Sequence, residues 1–367
     1  MEMPTLIVMI VNKMEKTKLA LLGVGDVAQR DYLPEFHRLA DRAEIVAACG
    51  LREERVKKVV EQYGIPTWYT DYREMLSKTD AEAIINLTPI QIHYETTLAS
   101  LESGKHVYSE KPIASTVKLA ERLRKEALKH QLILVCAPCV MLFPQVKYVH
   151  SLLKNNKIGP VYSAKAYGNM GIPPWTGFMS DPSPFFAKGA GPALDMGVYP
   201  LHVLTGLLGP VERVTAMVSK VLDSFTIEEG PFEGKVVPVE AEDNWHVLLD
   251  FGNSRLASLT ANNCIRGTLA PSVEIYGLNG TVALDPIDVS APVNVLKVDG
   301  EWEQKKIPNP GRVAGPDHHL GIEHLVDCIQ YQSNPILNIK NAMHVIEIIE
   351  KALKASKEGK TFEISTL

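Results

Sequence analysis

Two short stretches of this chain carry side chains able to hold charge and move protons. The first is Glu110-Lys111-Pro112, set where an apolar run ends. The second holds Asp195, Tyr199 and His202, spaced i, i+4, i+7. On a helix that spacing puts a carboxylate, a phenol and an imidazole on one face. Pro200 is tolerated only near a first turn, so the pattern predicts a helix that starts close to Asp195. Gly189 and Gly191 come just before it. Taken alone, the same three residues also fit a capping aspartate, a core tyrosine and a satisfied histidine.

A third stretch supplies a partner for such chemistry. Gly23-Val24-Gly25-Asp26-Val27-Ala28 is a G-x-G-x-x-A that follows an apolar run and opens a helical pattern. In that context Gly23 permits a tight turn, Gly25 lets the backbone approach a pyrophosphate, and Ala28 keeps helix and strand close. The helix start at Asp26 and Val27 offers free N–H groups and a positive dipole end to the phosphates. A bound dinucleotide is the expectation. An acid at the end of the second strand would hold a ribose 2′-hydroxyl, and an arginine would accommodate a 2′-phosphate. The chain has Gly50-Leu51-Arg52 there, with no acid until Glu53. Arg52 favours NADP; a solvated arginine at a helix start leaves NAD open.

These stretches need a frame. Apolar runs at 18–22, 44–49, 67–69, 81–87, 106–108 and 132–136 alternate with helical patterns at 28–39, 53–63, from 71, 92–101 and 115–129. Such alternation predicts βαβ units and a parallel sheet, whose ligands bind beyond the carboxyl ends of the strands. Thr88-Pro89 and Glu110-Lys111-Pro112 both fall at such ends. After Cys139 the alternation stops. A helix at 145–154 is followed by short strand patterns at 161–168, 211–221, 244–250, 257–261, 273–276, 281–284 and 293–298. They predict a mostly antiparallel sheet, with helices at 323–331 and 342–356 closing the chain. The expected class is α/β, with one domain over 15–138, a second over 139–367, and residues 1–14 as an extension or tail.

At 367 residues the chain is too long for one ordinary core. Its 46% apolar and 22% charged composition reads as a soluble globular protein. The net charge of −5, without a long basic run, argues against nucleic acid or a membrane surface as partner. Five cysteines, an odd number, point to reduced thiols in a cytoplasmic protein. Cys136 and Cys139 lack a second C-x-x-C pair, and His318-His319 beside Asp317 is one cluster with too few ligands, so no metal is expected. No apolar run, 6–11 included, is long enough to span a membrane.

LLGVGDVA at 21–28, NLTPIQIHYETTLASLESGKHVYSEKP at 86–112 and GAGPALDMGVYPLHVL at 189–204 together resemble one family. The chain is similar to the glucose–fructose oxidoreductase / inositol dehydrogenase / MocA family of NAD(P)-dependent oxidoreductases. The resemblance implies an N-terminal Rossmann fold and a C-terminal α/β domain with an open, mostly antiparallel sheet for substrate binding and homo-oligomer formation. It implies that NAD(P) lies against Gly23, Gly25, Asp26, Val27, Ala28, Arg52, Thr88, Pro89, His93, Glu110, Lys111 and Pro112. Lys111 would then point at the reacting oxygen, Pro112 would fix the turn, often through a cis bond, and Glu110 would help hold the cofactor side. Where the family pattern runs Asp-x-Gly-x-His-x-x-Asp, this chain has Asp195, Gly197, Tyr199 and His202. Tyrosine stands for the usual histidine and histidine for the usual second acid, which leaves Tyr199 or His202 as proton carrier.

The implied reaction is reversible alcohol oxidation, with Lys111 and Asp195 assisting the proton carrier. Tyrosine, with a free pKa of about 10, is a poor base. Lys111 alongside is expected to lower that value; histidine needs no such tuning. The family expectation is a small carbohydrate-like substrate (a sugar, polyol or cyclitol) held by Lys111, Asn169, Trp175, Asp195, Tyr199 and His202. The aromatic stretch GIPPWTGFMSDPSPFF at 171–186 either stacks on a sugar ring or packs on the domain seam. Two other readings stay open: a hydrolase that oxidises a sugar transiently with bound NAD, and a dinucleotide-binding sensor or scaffold without turnover.

Overall fold

The computed structural model describes residues 15–175, 177–298 and 300–366. The tail expected at 1–14 lies outside them. Strands β1 (Thr17–Leu22), β2 (Ala43–Cys49), β3 (Thr67–Tyr69), β4 (Ala83–Asn86), β5 (His106–Ser109) and β6 (Leu134–Cys136) form a parallel sheet in the order β3-β2-β1-β4-β5-β6. Leu19, Leu21, Ile84 and Ile85 are buried, as expected of strands covered on both faces. Helices α1 (Glu53–Tyr63), α2 (Tyr72–Lys78), α3 (His93–Glu102) and α4 (Val117–Lys129) make the crossovers. Thr116 caps α4 by accepting the Leu119 N–H. The strand order reverses between β1 and β4, which opens a ligand crevice at their carboxyl ends.

The first crossover departs from the helix expected over 28–39. Ala28–Tyr32 form a wide π turn, and Leu33–Leu39 a tight 3-10 run. Pro34 has no N–H with which to continue an α-helical ladder.

In the second half, α5 (Pro144–Lys154) leads to β7 (Val161–Asn169), and a π turn at Ala193–Gly197 leads to α6 (Val198–Leu208). Next come β8 (Arg213–Ser219), a hairpin of β9 (Ser224–Thr226) and β10 (Val236–Pro238), then β11 (Asn244–Asp250), β12 (Leu256–Asn262), β13 (Val273–Gly277), β14 (Gly280–Leu284), β15 (Val293–Lys297) and β16 (Trp302–Lys305). Helices α7 (His319–Gln330) and α8 (Ile339–Glu358) and a final β17 (Phe362–Glu363) follow. The large sheet runs β16-β15-β14-β13-β7-β12-β11-β8-β17. Only its β7–β12 pair is parallel among the described residues. In β11, Trp245, Val247 and Leu249 face the core, while His246 and Leu248 face outward. β9, β10, β16 and β17 were not expected; at two to four residues each, they are too short to show a period.

The two halves share their interior. Ile339, Met343 and Ile346 of α8 pack with Leu101 of α3, Val107 of β5 and Leu123 of α4. The Cys136 N–H donates to the Leu337 carbonyl at 2.9 Å. A backbone crossing seats the turn that carries Asp195: a Cβ on Gly168 would lie 2.6 Å from the Gly197 Cα. Glycine at position 168 lets the π turn sit on the end of β7. Among the described residues no helix is long and apolar enough to cross a membrane.

Candidate active site

The crevice begins at the glycine turn. Gly23 adopts φ +102°, and a Cβ there would meet the Leu87 carbonyl oxygen at 2.5 Å. Only glycine lets the end of β1 lie this close to the end of β4. A Cβ on Gly25 would meet nothing within 4 Å. That open space suits the approach of a diphosphate. Beyond it lies a cleft of ≈ 570 Å³ lined by Asp26, Gln29, Arg30, Arg52, Glu54, Arg55, Lys58, Met179 and Ser180. Arg30 pairs with Asp26 at 2.7 Å. Arg52, just before α1, is exposed and has no side-chain partner among the described residues. Met179 and Ser180 reach the cleft from the second half. Their loop is tied down by Gln91 Nε2, which donates to the Pro184 carbonyl at 2.7 Å, and by an Asp181–Lys235 pair at 2.6 Å.

The ends of β4 and β5 are braced internally. Buried Asn86 donates to Thr96 and Thr97 and accepts from the Thr88 hydroxyl at 2.8 Å, which holds Thr88-Pro89 in place. His93 lies between Thr88 and Pro112, with ring nitrogens 2.5 Å and 2.9 Å from their carbonyl oxygens. Burial lowers its pKa, and the neutral ring donates to one of them at a time. The Lys111–Pro112 bond is cis. Glu110, implied to face the cofactor, turns inward. It accepts from the Tyr32 hydroxyl at 2.5 Å and from the Lys111 N–H at 2.9 Å. Burial works against its charge, but His318, Lys111 and these hydrogen bonds hold its carboxyl below the ordinary value.

Lys111, Asp195 and Tyr199 meet at the mouth of the crevice. Lys111 Nζ donates to Asp195 Oδ1 at 2.6 Å and to the Asp195 carbonyl at 2.7 Å. The same ammonium lies 5.0 Å from the Tyr199 ring centroid, a cation–π contact. Tyr199 is buried, and its hydroxyl makes no hydrogen bond among the described residues. The expectation that Lys111 lowers the tyrosine pKa is not met. Burial first, then the charges of Glu110 and Asp195, holds the phenol well above 10. Lys111 sits over the ring face, already engaged by Asp195.

His202 is not part of this cluster. The wide turn at 193–197 changes the register between Asp195 and α6, so the single face implied by i, i+4, i+7 does not form. The His202 ring instead lines a small cavity with Cys136, Met141, Thr205 and His344. Burial, with help from His344, pushes its pKa down to about 4. Trp175 is also occupied: it stacks on Phe186, lies edge-on to Phe178 and Phe185, and donates Nε1–H to the Gly171 carbonyl. The β9–β10 hairpin completes that small core with Phe225, Ile227 and Val237. Asn169 ends β7 opposite Asn262, and both its side-chain polar atoms are buried without partners.

Three neighbours of the cluster were missed. Tyr32 and Tyr108 share a 2.8 Å hydrogen bond behind Glu110. His318 stacks on Tyr32 and lies beside Tyr199. Only the His318-His319 doublet marked it in sequence, and a doublet points to no particular partner. Among the described residues no group of three or more His, Cys, Asp or Glu is arranged to hold a metal.

A parallel sheet with a glycine crossover, its Lys111 ammonium facing a carboxylate and a phenol from the second half, defines a two-domain dinucleotide-binding fold. Residues 17–137 match the oxidoreductase family with an NAD-binding Rossmann fold, and residues 146–283 match the GFO/IDH/MocA C-terminal domain. The chain belongs to the GFO/IDH/MocA family of NAD(P)-binding oxidoreductases. It is 23% identical over 345 residues to a trans-1,2-dihydrobenzene-1,2-diol dehydrogenase of Xenopus tropicalis, covering 92% of this chain and 97% of that one. It is 27% identical over 194 residues to a D-glucoside 3-dehydrogenase of Escherichia coli (strain K12), covering 52% of this chain and 54% of that one. Its fold is similar to that of an aldose-aldose oxidoreductase from Caulobacter crescentus complexed with glycerol, with a TM-score of 0.79, 23% identity, and 95% and 100% of the two chains covered.

The histidine in the second cavity has a measurable consequence. A histidine whose folded pKa is depressed contributes stability that is full above about pH 6.5 and fades as pH falls toward the folded value. For His202 the window runs from about 6.5 down to about 4. Urea unfolding of the wild type is expected to lose about 2 kcal/mol from this group between pH 7.5 and 5. His202→Gln should flatten that loss; an unchanged slope would contradict the burial of the neutral ring.

Proposed function

We propose that this protein transfers hydride between a nicotinamide and a hydroxyl or carbonyl carbon of a sugar, polyol or cyclitol. One observation carries the reading: Lys111 from the first half and Asp195 and Tyr199 from the second converge beside the crevice at the end of the parallel sheet. The bound NAD(P) would lie along Gly23, Gly25 and the Arg52 cleft and would supply the hydride chemistry. Lys111 holds the reacting oxygen by hydrogen bond and charge, and Asp195 fixes the lysine. Tyr199, kept neutral, is the proton carrier and donates to the developing alkoxide in the reducing direction. His202 is not, since it faces another cavity. Asn169, with its amide unpaired, is a substrate-hydroxyl partner, because buried polar groups normally find one. The sugar-like substrate class is supported by the glucoside and diol dehydrogenases among the relatives.

The test is a panel of sugars, polyols and cyclitols followed by NAD(P)H absorbance. With an active substrate, Tyr199→Phe is expected to lower kcat roughly 10²–10³-fold, as loss of a general acid does. Lys111→Ala should lower it at least as far, while His202→Gln stays near wild type. Full turnover by Tyr199→Phe would remove phenol as the proton carrier.

Within NAD(P), we favour NADP. Arg52, Arg55 and Lys58 line the cleft, although Glu54 shares it. Arg52→Ala should weaken NADPH binding roughly tenfold, the worth of one charge-assisted hydrogen bond, and leave NADH nearly unchanged. Equal loss for both cofactors in a fluorescence titration would point away from a 2′-phosphate contact.

The outer face of the large sheet is our candidate for a homo-oligomer interface. Met217, Leu248, Leu256 and Trp302 are all exposed, and the strand register puts them on one face. Sedimentation should show Leu248→Arg smaller than the wild type; a wild type that sediments as a monomer would exclude the interface.

A further inference from the structure

His318 has no part in the reading above, yet it borders Tyr199. It stands at the start of α7 and is 5% exposed. Its ring stacks on Tyr32, with centroids 5.7 Å and planes 20° apart, and lies 6.2 Å from the Tyr199 ring. No direct hydrogen bond joins the two side chains, but rings this close leave a phenol oxygen and an imidazole nitrogen to be bridged by a single water. His318 Nδ1 is buried with no hydrogen-bond partner. Leaving such a group unpaired costs about 1–3 kcal/mol, so its retention calls for a reason.

Tyr199 needs what His318 offers. The phenol rests neutral, so a substrate proton can enter only if the phenol's own proton leaves in the same step. Lys111 is no acceptor, because its ammonium carries no lone pair and already donates to Asp195. The His318 ring is kept neutral chiefly by burial. Glu110 and Asp31 face it and favour its cation; Lys111 and Arg312 oppose that. Asp31 is in turn held by Arg30 at 2.7 Å and Arg312 at 3.0 Å.

We propose that His318 is the proton acceptor behind Tyr199, a relay and positioning residue for the reaction assigned above. The inference rests on Tyr199 as proton carrier. In alcohol oxidation the substrate O–H proton passes to the Tyr199 oxygen, and the Tyr199 proton passes to a His318 ring nitrogen. The bound NAD(P) would supply the acceptor for the carbon-bound hydrogen, which carries two electrons as hydride. The imidazolium faces Glu110 and Asp31 until its proton goes to solvent. Reduction runs the same transfers in reverse.

The test compares His318→Asn and His318→Phe with the wild type and Tyr199→Phe. Asparagine keeps a polar side chain and phenylalanine keeps the stacking, but neither takes a proton. Both are expected to lower oxidative kcat roughly 10²-fold, leave KM within about threefold, and abolish the fall of kcat on the acid side of the pH profile. Independently, the ¹⁵N resonances of the His318 ring in cofactor-free protein should move when Tyr199 becomes Phe. A kcat within about twofold of wild type with an unchanged profile overturns the relay. So do ring resonances indifferent to Tyr199→Phe. An inactive Tyr199→Phe beside a fully active His318→Asn removes the relay alone; an active Tyr199→Phe removes the reading beneath it.

Discussion

A single charged contact joins the two sheets at the point where chemistry can occur. Lys111 leaves the end of β5, Asp195 sits on the turn before α6, and their side chains meet at 2.6 Å with only 12% and 10% of their surface exposed. Taking both charges out of water costs several kcal/mol per ion. Their attraction and the second bond from Lys111 Nζ to the Asp195 carbonyl offset that cost without guaranteeing a net gain. Stability alone does not explain such a pair, because well-packed apolar residues would serve as well. It does fix two loops from separate sheets in one geometry. The close backbone crossing at Gly168 has the same effect from the other side, since a side chain there would push the Asp195 turn off β7.

The charge balance around that pair decides what Tyr199 can do. A lone lysine beside a phenol would favour phenolate. Here the lysine is shared with Asp195, and Glu110 adds a second negative charge behind the ring. The outcome is a neutral donor in a mostly closed site. Glu110 keeps its charge because Tyr32 and the Lys111 N–H donate to it. Tyr32 in turn comes from the wide turn after the glycine loop. The turn that opens the cofactor crevice and the groups behind the proton carrier are thus held by one set of hydrogen bonds.

Much of this was legible in the sequence. All six parallel strands were, because each is an apolar run closed by a turn residue. The place of Lys111 at the end of β5 was legible because motif and strand end coincide; the nearness of Asp195 and Tyr199 to it was implied only by the family resemblance. His202 was misplaced for a specific reason: spacing was read on an α-helix, and the chain makes a π turn between Asp195 and Val198. The Trp175 stretch was left open between a sugar platform and packing, because the β9–β10 hairpin whose core it packs against has strands of three residues. His318 could not be assigned at all. Its place beside Tyr199 depends on how α7 docks, and docking is a tertiary fact with no local signature.

That docking is itself specified by charge as well as by burial. Arg38, from the first crossover, pairs with Asp317 at 2.7 Å and with Glu323 at 2.7 Å, on either side of the start of α7. Arg42 pairs with Asp327 one turn further on. Asp317 is fully buried, so loss of Arg38 would leave an uncompensated charge next to His318. The apolar contacts of α8 on the first sheet then make the arrangement continuous with the core. Two domains joined only by a linker would set the distance from Lys111 to Tyr199 anew with each opening. Here a shared interior carries α7 and α8 across the seam, so that distance is a property of the packed state, fixed before any ligand arrives.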